Sequence, residues 1–356
     1  MKQEESSTEE SSAPLVEVTR GAMAESLHRG FIAVLEPDGR EIATRGEIDT
    51  RTWYRSAAKP FQTIAMIASG AADAFAMTSE ELAVITGSHS GEAIHVEVVR
   101  ALLARIGMPE SALGCGAHLP FDEATAKRMR AEGSAATALH NNCSGKHTGM
   151  LAFALRIGAS TEAYLDPSHP IQWRIHSVLA TFTGGSEDAI AIAVDGCSAP
   201  VFGHSLRAMA RSYACLMNPR ESGIEASLAE AADRVVSAMI AHPEMVGGTS
   251  KRLDTDLMRV AGGRLVSKVG AEGVQLLGVK PCERYPRGLG IAIKIEDGDI
   301  RRARDPVVIE TLRQLGLLDE EQIARLAPYA RATVRNHRGL AVGEVRPCFQ
   351  LRGNLP

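Results

Sequence analysis

No stretch of this chain approaches the roughly 20 consecutive apolar residues that a membrane-spanning helix needs, so no contact with a membrane interior is predicted. The chain also lacks an excess of basic residues, because 39 Lys and Arg residues stand against 43 Asp and Glu and give a formal net charge of −4. A chain without a basic excess is not expected to bind nucleic acid or an anionic membrane surface. It contains no internal repeat.

The six cysteines lack the regular spacing of a disulfide framework; they are Cys115, Cys143, Cys197, Cys215, Cys282 and Cys348. In a reducing compartment, scattered cysteines are thiols or metal ligands. The first fourteen residues, MKQEESSTEESSAP, are polar and acidic and lack an apolar segment, so they are expected to form a disordered tail and not a signal peptide. These features predict a cytoplasmic protein.

Strand patterns occur at both ends of the chain, and helical patterns lie between them. LVEVTR and GFIAVLEPDGREIATRG predict a strand and a hairpin with its turn at Pro37-Asp38-Gly39. Strands return as GRLVSKVG, VQLLGV, GLGIAIKIEDGD and GLAVGEVRP. Between them, helices are predicted at 57–69, 79–85, 93–106, 121–132, 145–157, 170–182, 204–216 and 224–241. The apolar run AIAIAVDGCSAP predicts a buried strand that leads into a loop.

This order predicts an α+β fold. A central, mostly antiparallel sheet is expected from segments at about 15–60 and 262–350, with an inserted and largely helical region at about 61–261. No linker separates the two parts, so residues 15–356 are predicted to form one unit. A cleft is expected where the insertion meets the sheet.

Ser56 and Lys59 lie three residues apart in the stretch YRSAAKPFQ, at the predicted start of a helix. Residues at this spacing share one face of a helix, and a serine becomes a nucleophile when a neighbouring base takes its proton. The lysine must be neutral to act as that base, which requires burial or a nearby cation. The same pattern is also typical of an ordinary helix start that is capped by serine.

Two further segments supply possible partners for this pair. TGSHSGEAIH places Ser88, His89 and Ser90 in a loop between two helices, where hydroxyl and main-chain N–H groups are available. SKVGAEG places Lys268 two residues before Gly270 at the end of a predicted strand. The order S-x-x-K, serine loop, K-x-G follows the logic of the penicillin-recognising enzymes. The chain has KVG instead of KTG and no SDN triplet, which predicts a different substrate.

A second group of candidate residues surrounds Cys143. HNNCSGKHTGM places Cys143, Lys146 and His147 near a helix start, and VDGCSAP places Asp195 and Cys197 after an apolar strand. Two thiolates and a nitrogen donor can hold zinc with one coordination position open. A lysine ligand must lose its proton, so the metal itself has to lower that pKa. The alternative is that the cysteines are small buried hydrophobic residues and that His147 belongs to the core.

Together, the segments RSAAKPFQ, GSHSGE, NNCSGKHTGML, VDGCSAP, HPEMVGG and KVGAEG resemble the rhizobial-type (class 3) L-asparaginases of the asparaginase II family, and most closely those of Rhizobium etli. The resemblance runs from about Val16 to Val345. It implies hydrolysis of L-asparagine to L-aspartate and ammonia, a fold similar to serine β-lactamases and glutaminases, and a homodimer.

The resemblance also assigns roles to residues of this chain. Two Ser–Lys pairs are implied, and so are a zinc site and a group of substrate contacts. The pairs are Ser56 with Lys59 and Ser88 with Lys268, the zinc ligands are Cys143, Lys146 and Cys197, and the expected substrate contacts are Arg55, Asp195 and His89. Arg55 and Asp195 match positions around the substrate or the metal, so a role of Asp195 in supporting the metal stays open.

The mechanism expected from these pairs is attack by Ser56 on the side-chain amide after Lys59 has taken its proton, with Ser88 and Lys268 serving the proton path. A main-chain oxyanion site and a β-aspartyl ester intermediate complete it. Two alternatives remain open: a zinc-dependent amidohydrolase that uses metal-bound water, and a binding protein without catalytic activity on a β-lactamase-like fold.

Overall fold

The computed structural model of the protein describes residues 11–355. The strands in this range are Ala13–Arg20 (β1), Met23–Leu35 (β2), Glu41–Arg45 (β3), Arg51–Trp53 (β4), Ala191–Val194 (β5), Pro200–Ser205 (β6), Leu265–Gly270 (β7), Val274–Val279 (β8), Leu289–Ile295 (β9), Ala332–Arg335 (β10), Ala341–Pro347 (β11) and Arg352–Gly353 (β12).

The α helices are Lys59–Ala68 (α1), Ala71–Ala74 (α2), Ser79–Thr86 (α3), Ala93–Arg105 (α4), Glu123–Glu132 (α5), Ser144–Arg156 (α6), Pro170–Thr183 (α7), Leu206–Met217 (α8), Ala226–Ala241 (α9), Pro243–Val246 (α10), Leu253–Ala261 (α11), Asp305–Gln314 (α12), Glu320–Arg325 (α13) and Ala327–Ala330 (α14). A 3-10 turn at Arg55–Ala58 leads directly into α1. The predicted helices therefore form, with boundaries that differ by only a few residues.

The main sheet is antiparallel and is built from both ends of the chain. Its strand order is β10-β11-β1-β2-β9-β8-β7, with β3 on β2 and β12 on β3. The long strand β2 changes partners along its length, because its first part pairs with β1 and its last part lies between β3 and β9. Since β2 and β9 are neighbours, this sheet is complete only after the chain has passed through the whole helical region. The predicted α+β class and the antiparallel sheet from N- and C-terminal segments are confirmed.

Helix α1 is the centre of the helical region and is buried along almost its whole length. Apart from Lys59, Gln62 and Thr63, its sequence KPFQTIAMIA is apolar, as is common for a helix without a solvent face. Its neighbours in the core are α7, α9, α6 and α3. Helix α8 covers the main sheet at β9, where a Cβ on Gly290 would meet the Ala210 carbonyl oxygen at 1.8 Å. Lys59, the first residue of α1, is therefore fixed deep inside the protein.

Local signals in the sequence mark several boundaries correctly. Thr78 and Glu81 form the predicted capping box, in which each side chain accepts a hydrogen bond from the other residue's main-chain N–H (3.2 and 2.9 Å). The hairpin turn at Gly39 has the positive φ of 89° that favours glycine.

The run AIAIAVDGCSAP is not the buried strand that its apolar composition predicts. Strand β5 lies at the edge of a separate three-stranded sheet, β4-β6-β5, in which it pairs only with β6. Its side chains alternate between half-buried and exposed, and those of Ile192 and Val194 are 43% and 70% exposed. An edge strand with one face in solvent can be apolar without being buried, which composition alone does not reveal.

The predicted tail at residues 1–14 is too long at its C-terminal end, because Ala13 and Pro14 already belong to β1. Its first ten residues lie outside the part of the chain that the structure describes. Among residues 11–355, no helix combines the length and the apolar character that are needed to cross a membrane.

Replacing Gly145 by alanine is expected to destabilise the protein by about 2 kcal/mol, since overpacking costs about 1–3 kcal/mol. Gly145 lies in the first turn of α6, where a Cβ would be 2.4 Å from the carbonyl oxygen of Val84 in α3. Backbone atoms cannot rotate away as a side chain can. Unfolding in urea measures the effect. Gly185→Ala is the matched control, because its nearest neighbours would lie 3.8 Å away; equal losses would contradict the prediction.

Candidate active site

The candidate active site brings together both groups of residues that the sequence separates. Its side chains come from the 3-10 turn and start of α1, the loop after α3, the start of α6, the β5–β6 turn and strand β7. They are Ser56, Lys59, Ser88, Cys143, Lys146, Cys197 and Lys268. All except Ser56 are at most 6% exposed.

The Ser88 hydroxyl lies between the amines of two buried lysines. Its Oγ lies 2.8 Å from Nζ of Lys268 and 3.0 Å from Nζ of Lys59. A hydroxyl group has one proton, so it can donate to only one of these amines and must accept from the other. The arrangement is fully satisfied when one lysine is neutral and the other is an ammonium ion.

The remaining contacts of the two amines indicate which lysine keeps its proton. Lys59 Nζ also lies 2.5 Å from the carbonyl oxygen of Gly87 and 3.1 Å from that of Asn142. With Ser88 Oγ these make three oxygen partners, which match the three N–H donors of an ammonium ion. Lys268 Nζ has one carbonyl partner, Val269 at 3.0 Å. Lys59 is thus arranged as a cation, whereas Lys268 can direct a lone pair at the hydroxyl.

Electrostatics favours the same assignment. Burial lowers the pKa of Lys268 well below its ordinary value of 10.5, and the nearby charge of Lys59 lowers it further. Burial also lowers the pKa of Lys59, but the sulfur of Cys143 opposes this effect. Lys268 is therefore the lysine that loses its proton first.

Sequence reasoning missed Asp254, which holds strand β7 on either side of Lys268. This buried carboxylate of α11 accepts hydrogen bonds from Ser267 Oγ (2.7 Å), Val269 N (2.9 Å) and Gln275 Nε2 (2.7 Å). An acidic residue in the first turn of a helix is common because it suits the helix dipole. No local pattern distinguishes this one.

Arg252, which the sequence also did not single out, fixes the loop that carries Ser88. Its guanidinium donates to Ser90 Oγ and to the Ser88 carbonyl oxygen, both at 2.8 Å. The Ser88 main-chain N–H donates to Val246 O at 2.7 Å. Hydrogen bonds therefore fix the peptide groups on both sides of Ser88.

The structure does not form the predicted pair of Ser56 with Lys59. Within residues 11–355, Ser56 Oγ has no hydrogen-bond partner, and the partners of Lys59 are those already described. The i, i+3 spacing brings the two Cβ atoms near each other, but the long lysine side chain extends to the α3 and α6 segments instead. Of the two predicted pairs, the structure brings together Ser88 and Lys268.

Arg55 and Asp195 bind each other. Arg55 Nε and a terminal guanidinium nitrogen lie 2.9 Å from Asp195 Oδ1, which also accepts from Gly196 N at 2.7 Å. Arg55 has a φ of 49°, a left-handed conformation that is unfavourable for a residue with a side chain. The ion pair joins the start of α1 to the β5–β6 turn, beside Ser56.

His89 and His147 are both buried core residues. His89, which is predicted to contact the substrate, accepts from Gly91 N at its Nδ1 and lies 2.9 Å from Ser144 Oγ at its Nε2. Burial and the stacked His95 ring hold the pKa of His89 well below its ordinary value. No ring nitrogen of His89 remains for a substrate. His147 lies 2.7 Å from the Tyr164 hydroxyl through Nδ1.

Cys143, Cys197 and Lys146 form a compact polar cluster. Lys146 Nζ lies 2.9 Å from Cys197 Sγ, and the Cys197 thiol hydrogen-bonds the sulfur of Cys143. That bond, with the charges of Lys59 and Lys146, holds the pKa of Cys143 well below its ordinary value against the effect of burial. The same bond raises the pKa of Cys197. Cys143 is therefore the thiolate of the pair.

The donor set of this cluster suits zinc. Tetrahedral zinc with one thiolate and one nitrogen ligand separates these two atoms by about 3.5 Å, so the 2.9 Å contact of Lys146 with Cys197 has to open by about half an ångström. In the described residues, no group of three or more His, Cys, Asp or Glu side chains is arranged to hold a metal ion. The third ligand would have to be Lys146.

The two groups of residues are one continuous site. Lys59 hydrogen-bonds Ser88 Oγ, and the charge on the Cys143 sulfur raises the pKa of the Lys59 amine against the effect of burial. Hydrogen bonds therefore connect Lys268 through Ser88 to Lys59, and an electrostatic interaction connects Lys59 to Cys143 and the rest of the thiol cluster. A change of charge at the sulfur atoms therefore changes the pKa of the lysines that flank Ser88.

Comparison with known proteins gives one match that spans nearly the whole chain. The sequence model of the family described as L-asparaginase II matches residues 16–347. No protein with a curated description matches.

Several solved structures show partial similarity. The native form of Mglu is 16% identical, with a TM-score of 0.43 over 82% of this chain and 66% of that one. Native Mglu in 4.3 M NaCl is 18% identical, with a TM-score of 0.44 over 82% and 62% of the two chains. A probable glutaminase from Bacillus subtilis, complexed with 6-diazo-5-oxo-L-norleucine, is 14% identical, with a TM-score of 0.37 over 76% and 79%. This chain spans roughly two thirds of the length of the Mglu chains.

Proposed function

Since this chain belongs to the L-asparaginase II family, we propose that it is an amidohydrolase that converts L-asparagine to L-aspartate and ammonia through a covalent serine ester. The observation that supports this chemistry is the Ser88 hydroxyl in contact with two buried lysine amines at 2.8 and 3.0 Å. A hydroxyl between a neutral amine and an ammonium ion has both a base for its proton and a cation for its developing charge.

In the first half of the reaction, Ser88 is the nucleophile. Lys268 takes the hydroxyl proton while Ser88 Oγ forms a bond to the side-chain amide carbon of asparagine. The proton that Lys268 has taken then passes to the amide nitrogen, the C–N bond breaks, and ammonia leaves, so that Lys268 is neutral again. The product bound to the enzyme is a β-aspartyl ester of Ser88.

In the second half, water replaces the serine. Lys268, again neutral, takes a proton from a water molecule that attacks the ester carbon. The C–O bond to Ser88 breaks, the serine recovers its proton, and L-aspartate is released. Lys59 remains an ammonium ion throughout and donates to Ser88 Oγ, which stabilises the oxygen when it carries negative charge.

The zwitterionic end of asparagine calls for one cation and one anion. Arg55 and Asp195 supply them at the start of α1 and the β5–β6 turn, where they now neutralise each other. The substrate carboxylate would pair with Arg55 and its ammonium group with Asp195. The main-chain N–H of Ser88 is already bound to Val246 O, so this group is not free to hold the oxyanion.

Cys143, Lys146 and Cys197 would hold one zinc ion, which when bound supplies a Lewis acid that orients the substrate. Cys197→Ser is expected to reduce zinc content to well below one ion per chain, because it removes one of two thiolate ligands. Elemental analysis after dialysis against a weak chelator measures this directly. Cys215→Ser is the matched control, since Cys215 is also a buried cysteine but hydrogen-bonds the Pro37 carbonyl oxygen. Equal zinc content in both variants would contradict the assignment.

Ammonia release from asparagine and from glutamine, together with cleavage of the cephalosporin nitrocefin, tests the function. We expect release from asparagine, less from glutamine, and no cleavage of nitrocefin. Absence of ammonia from both amides would favour a binding protein without catalysis. Turnover that is lost with chelator but kept in Ser88→Ala would favour a metal-bound water as nucleophile.

The remaining parts of the proposal rest on the sequence alone. The rhizobial type, with the closer resemblance to the Rhizobium etli enzymes, and the homodimer rest on the family resemblance, whereas the proposed cytoplasmic location rests on the polar N-terminal residues and the scattered cysteines. Size-exclusion chromatography with light scattering tests the dimer.

A further inference from the structure

His118 lies next to the candidate active site in a segment that none of the sequence motifs includes. Its Nε2 accepts a hydrogen bond from the main-chain N–H of Asn142 at 3.1 Å. The carbonyl oxygen of Asn142 in turn accepts from Lys59 Nζ, also at 3.1 Å. Two hydrogen bonds and one residue therefore connect His118 to the ammonium group beside Ser88.

The contacts of His118 fix both its tautomer and its ring orientation. Nδ1 lies 2.7 Å from the carbonyl oxygen of Leu119, which can only accept, so Nδ1 carries the proton. Nε2 is then an acceptor for the Asn142 N–H, and the Asn142 side-chain oxygen, 3.3 Å from Nε2, receives no hydrogen bond from it in this tautomer. One ring face stacks on Phe121, with centroids 4.8 Å apart and an interplanar angle of 19°.

The segment that carries His118 is itself tied to the serine loop. Asp122 N donates to Ser90 O at 3.0 Å, and a Cβ on Gly91 would meet Pro120 Cα at 3.2 Å. Residues 118–122 thus join the Ser88 loop on one side to the peptide of Asn142 on the other. The ring cannot turn without disturbing one of these attachments.

We propose that His118 is a positioning residue for the reaction, which fixes the Asn142 carbonyl and thereby holds the Lys59 ammonium against Ser88. This inference rests on the proposed function, because it needs a reaction at Ser88. The N–H and the carbonyl of Asn142 belong to successive peptide groups, and the second group is also held by the hydrogen bond from Cys143 N to Asn141 Oδ1 at 2.8 Å. Without the bond to His118, the first group can turn, which shifts Asn142 and with it the carbonyl oxygen that Lys59 contacts. His118 does not touch the reacting atoms.

The test compares three variants with the unaltered protein in asparagine hydrolysis. His118→Phe keeps the stack on Phe121 and removes the acceptor. His118→Gln can place its side-chain oxygen where Nε2 lies, whereas the shorter side chain of His118→Asn cannot reach that position. We expect kcat to fall about tenfold in the Phe and Asn variants, as for other residues that orient a catalytic group through one hydrogen bond. KM should stay within about twofold, and Gln should restore most of kcat.

The outcomes separate this inference from the proposed function. If the unaltered protein releases no ammonia from either amide, the proposed function fails. If it is active and Gln is no better than Asn, or if the loss is in KM alone, the positioning role is overturned. Thermal unfolding of each variant identifies any that does not fold. Should the Phe variant be lost in this way, the Gln and Asn pair still decides the question, because the two differ by one methylene group.

Discussion

Ser88→Ala is expected to lower kcat for asparagine by about 10⁴-fold or more, the loss that follows removal of a nucleophile from a site whose parts act as a unit. Ser88 Oγ is the one atom that both lysine amines contact, so no other hydroxyl in the described site can replace it in both contacts. Steady-state ammonia release over a range of enzyme concentrations measures the effect. Thermal unfolding should shift by only a few degrees, because the loss of one buried hydrogen-bonding hydroxyl costs about 1–3 kcal/mol.

Ser56→Ala is the matched comparison, since it makes the same chemical change at the other candidate serine. Ser56 Oγ has no hydrogen-bond partner in residues 11–355, so we expect a loss of about tenfold or less, through substrate binding beside Arg55. Both variants should bind zinc equally. A larger loss of kcat in Ser56→Ala than in Ser88→Ala would indicate that Ser56 is the nucleophile.

Lys268→Arg is expected to lower kcat for asparagine by about 10³-fold, whereas Lys59→Arg should lower it less. An arginine stays charged at any working pH and cannot act as a base, but it can still donate to an oxygen. The loss at Lys268 is within the range for removal of a general base. The comparison is matched, because both lysines are fully buried beside the same hydroxyl. The opposite order would make Lys59 the base.

The pH dependence of kcat/KM is a second test of whether Lys268 is the base. Lys268 must be neutral to take a proton, and burial holds its pKa below 10.5. Activity should therefore be lost as the pH falls through this lowered pKa and should reach its plateau well below pH 10.5. Because the charge of Lys59 helps to lower that pKa, Lys59→Met should move the rising limb to higher pH. A limb that stays in place would contradict the coupling of the two amines.

Much of the fold follows from short-range signals in the sequence. The capping box at Thr78 and the glycine turn at Gly39 involve residues within four positions of one another, and both form as predicted. The antiparallel sheet follows from strands at both ends of the chain. Strand β5 differs from the predicted buried strand, because its exposure depends on what packs against it and not on its own composition.

The candidate site shows where sequence reasoning stops. Its decisive contacts join residues that are far apart in the chain: 29 positions for Lys59 and Ser88, 180 for Lys268 and Ser88, and 51 for Lys146 and Cys197. Spacing within one helix predicts that Ser56 and Lys59 are neighbours, but it does not determine where a four-carbon side chain points. Three tertiary oxygen partners decide that instead.

The continuity of the site has a consequence for how zinc and catalysis are related. Lys59 hydrogen-bonds Ser88 Oγ, and the charge of Cys143 favours the ammonium form of Lys59. The cysteines proposed to hold zinc can therefore influence the proposed nucleophile without contacting it. This relation gives a physical reason for placing a thiolate beside a serine–lysine site.

The most direct test of the central claim is to identify the residue that becomes covalently modified. A diazoketone analogue of asparagine alkylates the nucleophile of an amidohydrolase, and peptide mass spectrometry then locates the adduct. The account predicts a single adduct on Ser88, formed more slowly as the pH falls through the pKa of Lys268. An adduct on Ser56, with Ser88 unmodified, would contradict it.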